Sequence, residues 1–199
     1  MVSNNIDSPA WDENELVLRL KKGQEAAYRI LVRQYQEKLF GIAYGITLDR
    51  EESRDIVQEV FLKVYSNIRA FKGDSKLYIW LRRITINHCW NRRRSWKRRF
   101  RWHHEPLEKE DSSDRIELET DTTNPERLYE KKELEKILHE GLKALPKDAR
   151  TVFILKELEG LTYDDIASLL KIKKGTVSSR IFYARQSLKA YLSKRVGQE

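Results

Sequence analysis

The side chains of this chain that are equipped to engage another molecule are mostly cations set among aromatic rings. From Arg82 to Arg101 there are nine lysines and arginines and no acid: Arg82, Arg83, Arg92, Arg93, Arg94, Lys97, Arg98, Arg99 and Arg101. Trp90, Trp96, Phe100 and Trp102 are interleaved with them. Cations bind phosphate and flat rings stack on unpaired bases, so the pattern suits opened or single-stranded nucleic acid. Like charges at this density repel unless a polyanion neutralises them. The plainer reading is a solvated helix end with its tryptophans in a core. A second group lies near the C-terminus: Lys173, Lys174, Thr176, Ser178, Ser179, Arg180, Phe182, Tyr183 and Arg185. Small polar residues and arginines suit base edges in the major groove, where arginine bonds guanine through two parallel hydrogen bonds. Here the plainer reading is a helical hairpin with a solvated basic face.

The element that must position this second group is Leu161 to Leu192, LTYDDIASLLKIKKGTVSSRIFYARQSLKAYL. Thr162 is placed to cap a first helix by accepting the Asp165 N–H. Ile166, Ala167, Leu169 and Leu170 follow at helical spacing. Lys171 to Gly175 breaks the pattern, Gly175 is expected to turn the corner, and Thr176 to cap the next helix. Val177, Ile181, Ala184, Leu188 and Leu192 then form one apolar stripe. Arg180 is expected on the face away from that stripe. Caps, turn, stripe and basic face agree on a helix-turn-helix, whose second helix enters the major groove.

The first group sits at the end of a run of helical patterns. Leu16 and Leu20 mark a helix from about Asp12, and Gly23 a corner. Ala27, Ile30, Leu31, Tyr35, Leu39, Ile42, Ala43 and Ile46 stripe a longer helix. A third helix, from Asp49, has Glu52 at the capping-box position. It buries Ile56, Val60, Phe61, Val64 and Ile68 and exposes Asp55, Gln58, Glu59 and Lys63. Phe71-Lys72-Gly73-Asp74-Ser75 is a turn, with Asp74 or Ser75 as cap of a fourth helix carrying Leu77, Trp80, Leu81 and Ile84. Trp80, Arg83 and Asn87 share a face of it.

From Glu105 to Glu126 the sign reverses, with nine acids against two bases. Large apolar residues are sparse there, which predicts a self-repelling connector over 103–123. It reads either as a plain tether or as an acidic strand that mimics nucleic acid in a basic channel. Asn124 and Pro125 then fit a helix cap and first turn. Leu128, Leu134, Ile137, Leu138, Leu142 and Leu145 stripe that helix, and Pro146 ends it. A short helix follows, packing Val152, Phe153 and Leu158 and stopping at Gly160. The fold class predicted is all-α, with domains over 12–102 and 124–195.

The 199 residues carry a net charge of +8, which favours a polyanionic partner. Cys89 is the one cysteine, so no intrachain disulfide forms, in keeping with a reducing compartment. His88-Cys89 with His103-His104 matches no common zinc spacing. No cofactor or metal is expected. No apolar run reaches the roughly 18 residues of a membrane span, and the polar N-terminus is unlike a signal peptide. The expected location is the cytosol.

Three motifs occur in one order: DIVQEVFLKVY, FKGDSKLYIWLRRITINHCWNRRR and LTYDDIASLLKIKKGTVSSRIFYARQSL. Together they resemble a bacterial extracytoplasmic-function sigma factor, of the type related to the envelope-stress sigma factor, from about Asp12 to about Lys194. The resemblance implies a non-enzymatic protein that binds core RNA polymerase through its β′ and β subunits and directs it to promoters. Asp55, Gln58, Glu59 and Lys63 match the family's polymerase-binding surface. Phe71, Lys72, Gly73, Asp74, Ser75 and Lys76, with Trp80, Arg83 and Asn87, match the element that captures an unstacked −10 base, and Arg92, Arg93 and Arg94 would hold the adjoining backbone. Lys173 to Arg185 matches the −35 reader. An anti-sigma factor is a further partner the resemblance implies. The chain departs from the family where Ser178 replaces an arginine of GTVRSRIF and where F-x-TWL reads Leu77-Tyr78-Ile79-Trp80-Leu81. A helix-turn-helix regulator acting without stable attachment to polymerase is the alternative. A response-regulator type would bring a doubly wound receiver, whose strands are not seen. A nucleic-acid-processing enzyme would need clustered metal-binding carboxylates or an activated nucleophile.

Overall fold

The structure, a computed structural model, describes residues 11–99 and 125–196, with side chains for 11–92 and 133–195. Among the described residues there are eight α-helices, one short 3-10 turn and no strand. The connector 103–123, Asn124, Phe100 to His104, and the side chains of Arg93, Arg94, Trp96 and Leu128 lie outside the described residues. The chain forms two units, one from residues 11–44 and 51–91, the other from 45–50, 92–99 and 125–196.

The first unit is built on α1 (Glu13–Lys21), α2 (Glu25–Thr47), α3 (Arg50–Asn67), the 3-10 turn Ile68–Ala70 and α4 (Leu77–Arg99). Asp12 caps α1 by accepting the Glu15 N–H at 2.7 Å. Gly23, at φ +72°, turns the chain into α2 in a backbone conformation that strains residues with a Cβ. Leu16, Leu20, Leu31, Leu39, Ile56, Val60, Val64, Leu77, Leu81 and Ile86 are buried, as their helical spacing requires. Tyr28 spans two helices: its hydroxyl donates to the Phe61 carbonyl, and its ring meets Phe61 and Tyr65 edge-on.

Two expectations fail in this unit. Neither Asp74 nor Ser75 caps α4. The first helical N–H, that of Leu77, instead donates to Glu13 Oε1 of α1 at 2.9 Å, and the backbone carbonyl of Lys76 opens the helix. Trp90, grouped above with the stacking rings, is buried, as is Cys89 beside it. Both continue the apolar face of α4, so the plainer reading holds for Trp90.

The second unit contains α5 (Pro125–Ala144), α6 (Lys147–Glu157), α7 (Tyr163–Leu170) and α8 (Lys174–Val196). Pro125 opens α5, and Pro146 separates α5 from α6. Helix α8 packs along α6 and α7 and meets α5 at Gly141, where an added Cβ would come 3.1 Å from a Leu188 methyl. Leu142, Leu145, Val152, Leu155, Ile166, Leu170, Val177, Ile181, Ala184 and Leu188 are buried. The stripe expected on α5 is covered only in part. Leu134 and Leu138, seven and three residues before the Gly141 contact, are exposed, and so is Leu158, which has left α6 as its C-cap.

Candidate nucleic-acid interface

The helix-turn-helix is fixed from its first residue. Thr162 and Asp165 form a complete capping box, the Asp165 N–H donating to the Thr162 hydroxyl at 3.1 Å and the Thr162 N–H to Asp165 Oδ2 at 3.2 Å. The corner differs from expectation. Lys171 takes the left-handed conformation, at φ 54° and ψ 51°, while Gly175 lies inside α8 without positive φ. Helix α8 starts at Lys174, so Thr176 is in its first turn, its N–H donating to the Lys173 carbonyl at 2.9 Å. The chain turns at Lys171 because the Lys171 and Ile172 amides close bonds to the Ser168 and Ala167 carbonyls, which leaves no corner for Gly175 to make.

The face of α8 that remains open carries Ser178, Ser179, Phe182 and Tyr183, all exposed. Phe182 is 66% and Tyr183 52% exposed, an unusual position for two rings unless they meet a partner. The cations are placed differently. Arg180 is partly buried: its Nη2 lies 3.1 Å from Asp148 Oδ2 of α6. Burial pushes its guanidinium below the ordinary value. Its Nη1 is buried without a hydrogen-bond partner. Arg180 therefore stands at the rim of the core, not on the face opposite Val177 and Ile181. Its spacing could have shown this, since it lies three residues after Val177 and four before Ala184. Arg185 is exposed and pairs with Glu157 of α6 at 2.6 Å, a bond that raises its pKa. Lys174 pairs with Asp164 at 2.8 Å, and Lys173 is exposed beside it. Asp148, Glu157 and Asp164 thus hold three of the expected DNA-contacting cations, a role the sequence reading missed.

In the first unit, Lys72, Gly73, Asp74, Ser75 and Lys76 form an exposed loop, and Gly73, at φ +85°, is its one left-handed residue. Phe71, expected with this loop, is instead buried, its ring 5.3 Å from that of Trp80. It packs against Trp80 with the two ring planes at 47° and, being buried, does not itself offer a face. Trp80 and Asn87 are half-buried and Arg83 is exposed along one side of α4. Arg92 is half-buried on the same helix. On α3, Asp55, Gln58, Glu59 and Lys63 are all exposed. Glu59 Oε2 lies 3.3 Å from His88 Nδ1 of α4. Leu62 and Tyr65, seven residues on from Asp55 and Gln58, share this face at 60% and 64% exposure. That spacing is readable in the sequence. Among the described residues no group of acids, histidines and cysteine is placed to hold a metal, and no helix is long and apolar enough to cross a membrane.

Both parts of the chain match known families. Sigma-70 region 2 matches residues 31–99, and Sigma-70 region 4 matches residues 135–188. The chain is 36% identical to the RNA polymerase sigma-H factor of Pseudomonas aeruginosa, covering 88% of this chain and 91% of that one. It is 35% identical to the ECF RNA polymerase sigma-E factor of Escherichia coli, covering 87% and 90%. Among solved structures, its fold is similar to that of the sigma factor RpoE in complex with the anti-sigma factor NepR from Bartonella quintana. The TM-score there is 0.62 at 20% identity, over 83% of this chain and 96% of that one. Two helical units with these motifs in this order, and relatives of this identity along nearly their whole length, make the chain a member of the Sigma-70 family of RNA polymerase sigma factors, in its extracytoplasmic-function (ECF) branch.

Proposed function

We propose that this chain confers promoter recognition on core RNA polymerase through three separate surfaces. The exposed side of α3, with Asp55, Gln58, Glu59, Lys63 and the apolar Leu62, docks on the polymerase. The loop 72–76, backed by Trp80 and flanked by Arg83 and Asn87, captures an unstacked base of the −10 element, since extruding a base costs only a few kcal/mol. The cations from Arg92 through Arg94 hold the adjoining backbone. The open face of α8 reads the −35 element, with Ser178 and Ser179 at base edges and Phe182 and Tyr183 against thymine methyls. Lys173 and Lys174 hold phosphate.

The observation that carries the reading is the exposure of Phe182 and Tyr183 on the second helix of a capped helix-turn-helix, within a chain that also presents the 72–76 loop. On this reading region 2 spans 12–102, region 4 spans 124–195, and the acidic 103–123 connects them. The chain itself performs no catalytic step and acts in the bacterial cytoplasm, where the polymerase is. An inhibitory protein partner belongs to the same proposal, supported by a structural relative solved with an anti-sigma factor.

The test mixes the purified chain with core polymerase and promoter fragments. Specific initiation that depends on both elements is expected. Specific binding to −35 duplex with no effect on initiation by core polymerase would instead indicate a regulator that works apart from it.

A further inference from the structure

The loop 72–76 is short, exposed and without a hydrophobic anchor of its own. What fixes it must lie at its ends, and α1 touches both. Upstream, α1 packs against the 3-10 turn Ile68–Ala70 that leads into the loop. Downstream, Glu13 in the first turn of α1 accepts the N–H of Leu77, the first helical residue after the loop, at 2.9 Å. The two residues are 64 apart in sequence, so this is a tertiary bond made at a place where helices usually cap themselves. Nothing local competes for it. Lys76, the residue before α4, has no side-chain acceptor, and neither Asp74 nor Ser75 reaches the amide.

The bond has electrostatic direction as well as geometry. The N-terminus of α4 carries partial positive charge, which a carboxylate at hydrogen-bond distance stabilises. The same carboxylate sits close enough to Tyr35 of α2 that its field, after burial, helps raise that phenol's pKa. Tyr35 in turn stacks on Tyr78, the second residue of α4, at 6.2 Å and 14° between ring planes. Glu13 is thus bonded to the first turn of α4 and adjacent to the ring pair that braces it. Helix α1 is itself held in place. Asp12 caps it, Arg19 pairs with Glu15 at 2.7 Å, and the Arg19 guanidinium lies 4.3 Å over the Trp11 ring.

We propose that α1 is a clamp on the base-capturing loop, and that Glu13 is its positioning residue. By fixing where α4 begins, Glu13 sets the spacing between the 72–76 loop and Trp80, Arg83 and Asn87, and so the discrimination among bases at the −10 position. The inference rests on the reading that this loop captures a base.

The test uses full-length protein assembled with core polymerase and promoters carrying each base at the captured position. Glu13→Ala is expected to reduce discrimination there by about fivefold, the population change that loss of a helix cap brings. Discrimination at −35 and affinity for core polymerase should be unchanged. Glu13→Gln keeps an oxygen able to accept the Leu77 N–H and should restore most of the discrimination, which a general loss of packing would not allow. Trp80→Ala is the control for the underlying reading. If Trp80→Ala erases −10 discrimination while Glu13→Ala leaves it intact, the clamp is wrong. If neither variant alters −10 discrimination, the base-capture reading fails and the clamp with it. If Glu13→Gln behaves as badly as Glu13→Ala, the hydrogen bond is not what positions the loop.

Discussion

Breaking the ion pair between Arg180 of α8 and Asp148 of α6 tests what this arginine does. An arginine in the second turn of a recognition helix is ordinarily a candidate for guanine. Here its charge faces Asp148 at 3.1 Å, with about a quarter of each side chain exposed. At an effective dielectric constant of about 20, two charges some 4 Å apart attract by about 4 kcal/mol before desolvation. Burial works against this and pushes the guanidinium below its ordinary value. Loss of Asp148 would leave the Arg180 guanidinium, whose Nη1 already lacks a partner, without its carboxylate. Asp148→Asn should weaken the α6–α8 contact by about 2 kcal/mol, because it leaves the less accessible cation facing a neutral group. Arg180→Met, which keeps the stem and removes the charge, should cost about 1 kcal/mol, and the double variant no more than the worse single one. Amide hydrogen exchange along α6 and α8 in the full chain reads these differences locally. Binding to a panel of single-base −35 duplexes reads the function. Arg180→Met should weaken all duplexes by a similar factor, since Arg180 orients α8 without reading a base. Loss of preference at one base pair, with α8 protection unchanged, would refute this and show that Arg180 leaves Asp148 to bind DNA.

Three further outcomes are expected. Asp55→Lys with Glu59→Lys should weaken binding to core polymerase at least tenfold at low salt, with unchanged circular dichroism, because both residues are exposed; retention of parental affinity would remove α3 from the docking surface. Phe182→Ala should lose about 1–3 kcal/mol at −35 sites that present a thymine methyl and little elsewhere, whereas Lys173→Ala should weaken every duplex alike and lower the slope of log affinity against log salt by about one unit; the reverse pattern would exchange their roles. Thr162→Ala removes one half of the capping box and should destabilise the start of α7 by about 1 kcal/mol, seen as faster exchange of its first-turn amides.

The fold is legible in the sequence where one periodic pattern determines the answer. The stripes of α2, α3 and α8, the Thr162 cap and the corner at Gly23 all depend on residues within a few positions of one another. Where the deciding partner is remote, the fold is not legible. Nothing near Leu77 announces that Glu13 supplies its cap, and nothing near Arg180 announces Asp148. Gly175 is a lesson of another kind. A glycine between two helical patterns invites the left-handed corner, yet Lys171 takes that conformation instead, because the hydrogen bonds ending α7 close there. Composition places Trp90 with the stacking rings, but it lies on the buried side of α4. The roles of Arg93 and Arg94 rest on the motif alone.

Helix α4 runs without a break for 23 residues, from the end of the 72–76 loop into the cationic run. At about 1.5 Å per residue it is a rod some 34 Å long. On the proposed reading, the side of α4 that backs the captured base and the cations that grip the backbone belong to one helix, so the number of residues between them sets their phase along it. Inserting one residue near Thr85 would rotate the distal cations by about 100° and advance them by only about 1.5 Å, turning the grip away from the strand it follows. Inserting seven would bring the phase back to within about 20°, but about 10 Å too far along. Length and phase cannot both be kept, so this segment should accept substitutions far more readily than any change in its number of residues.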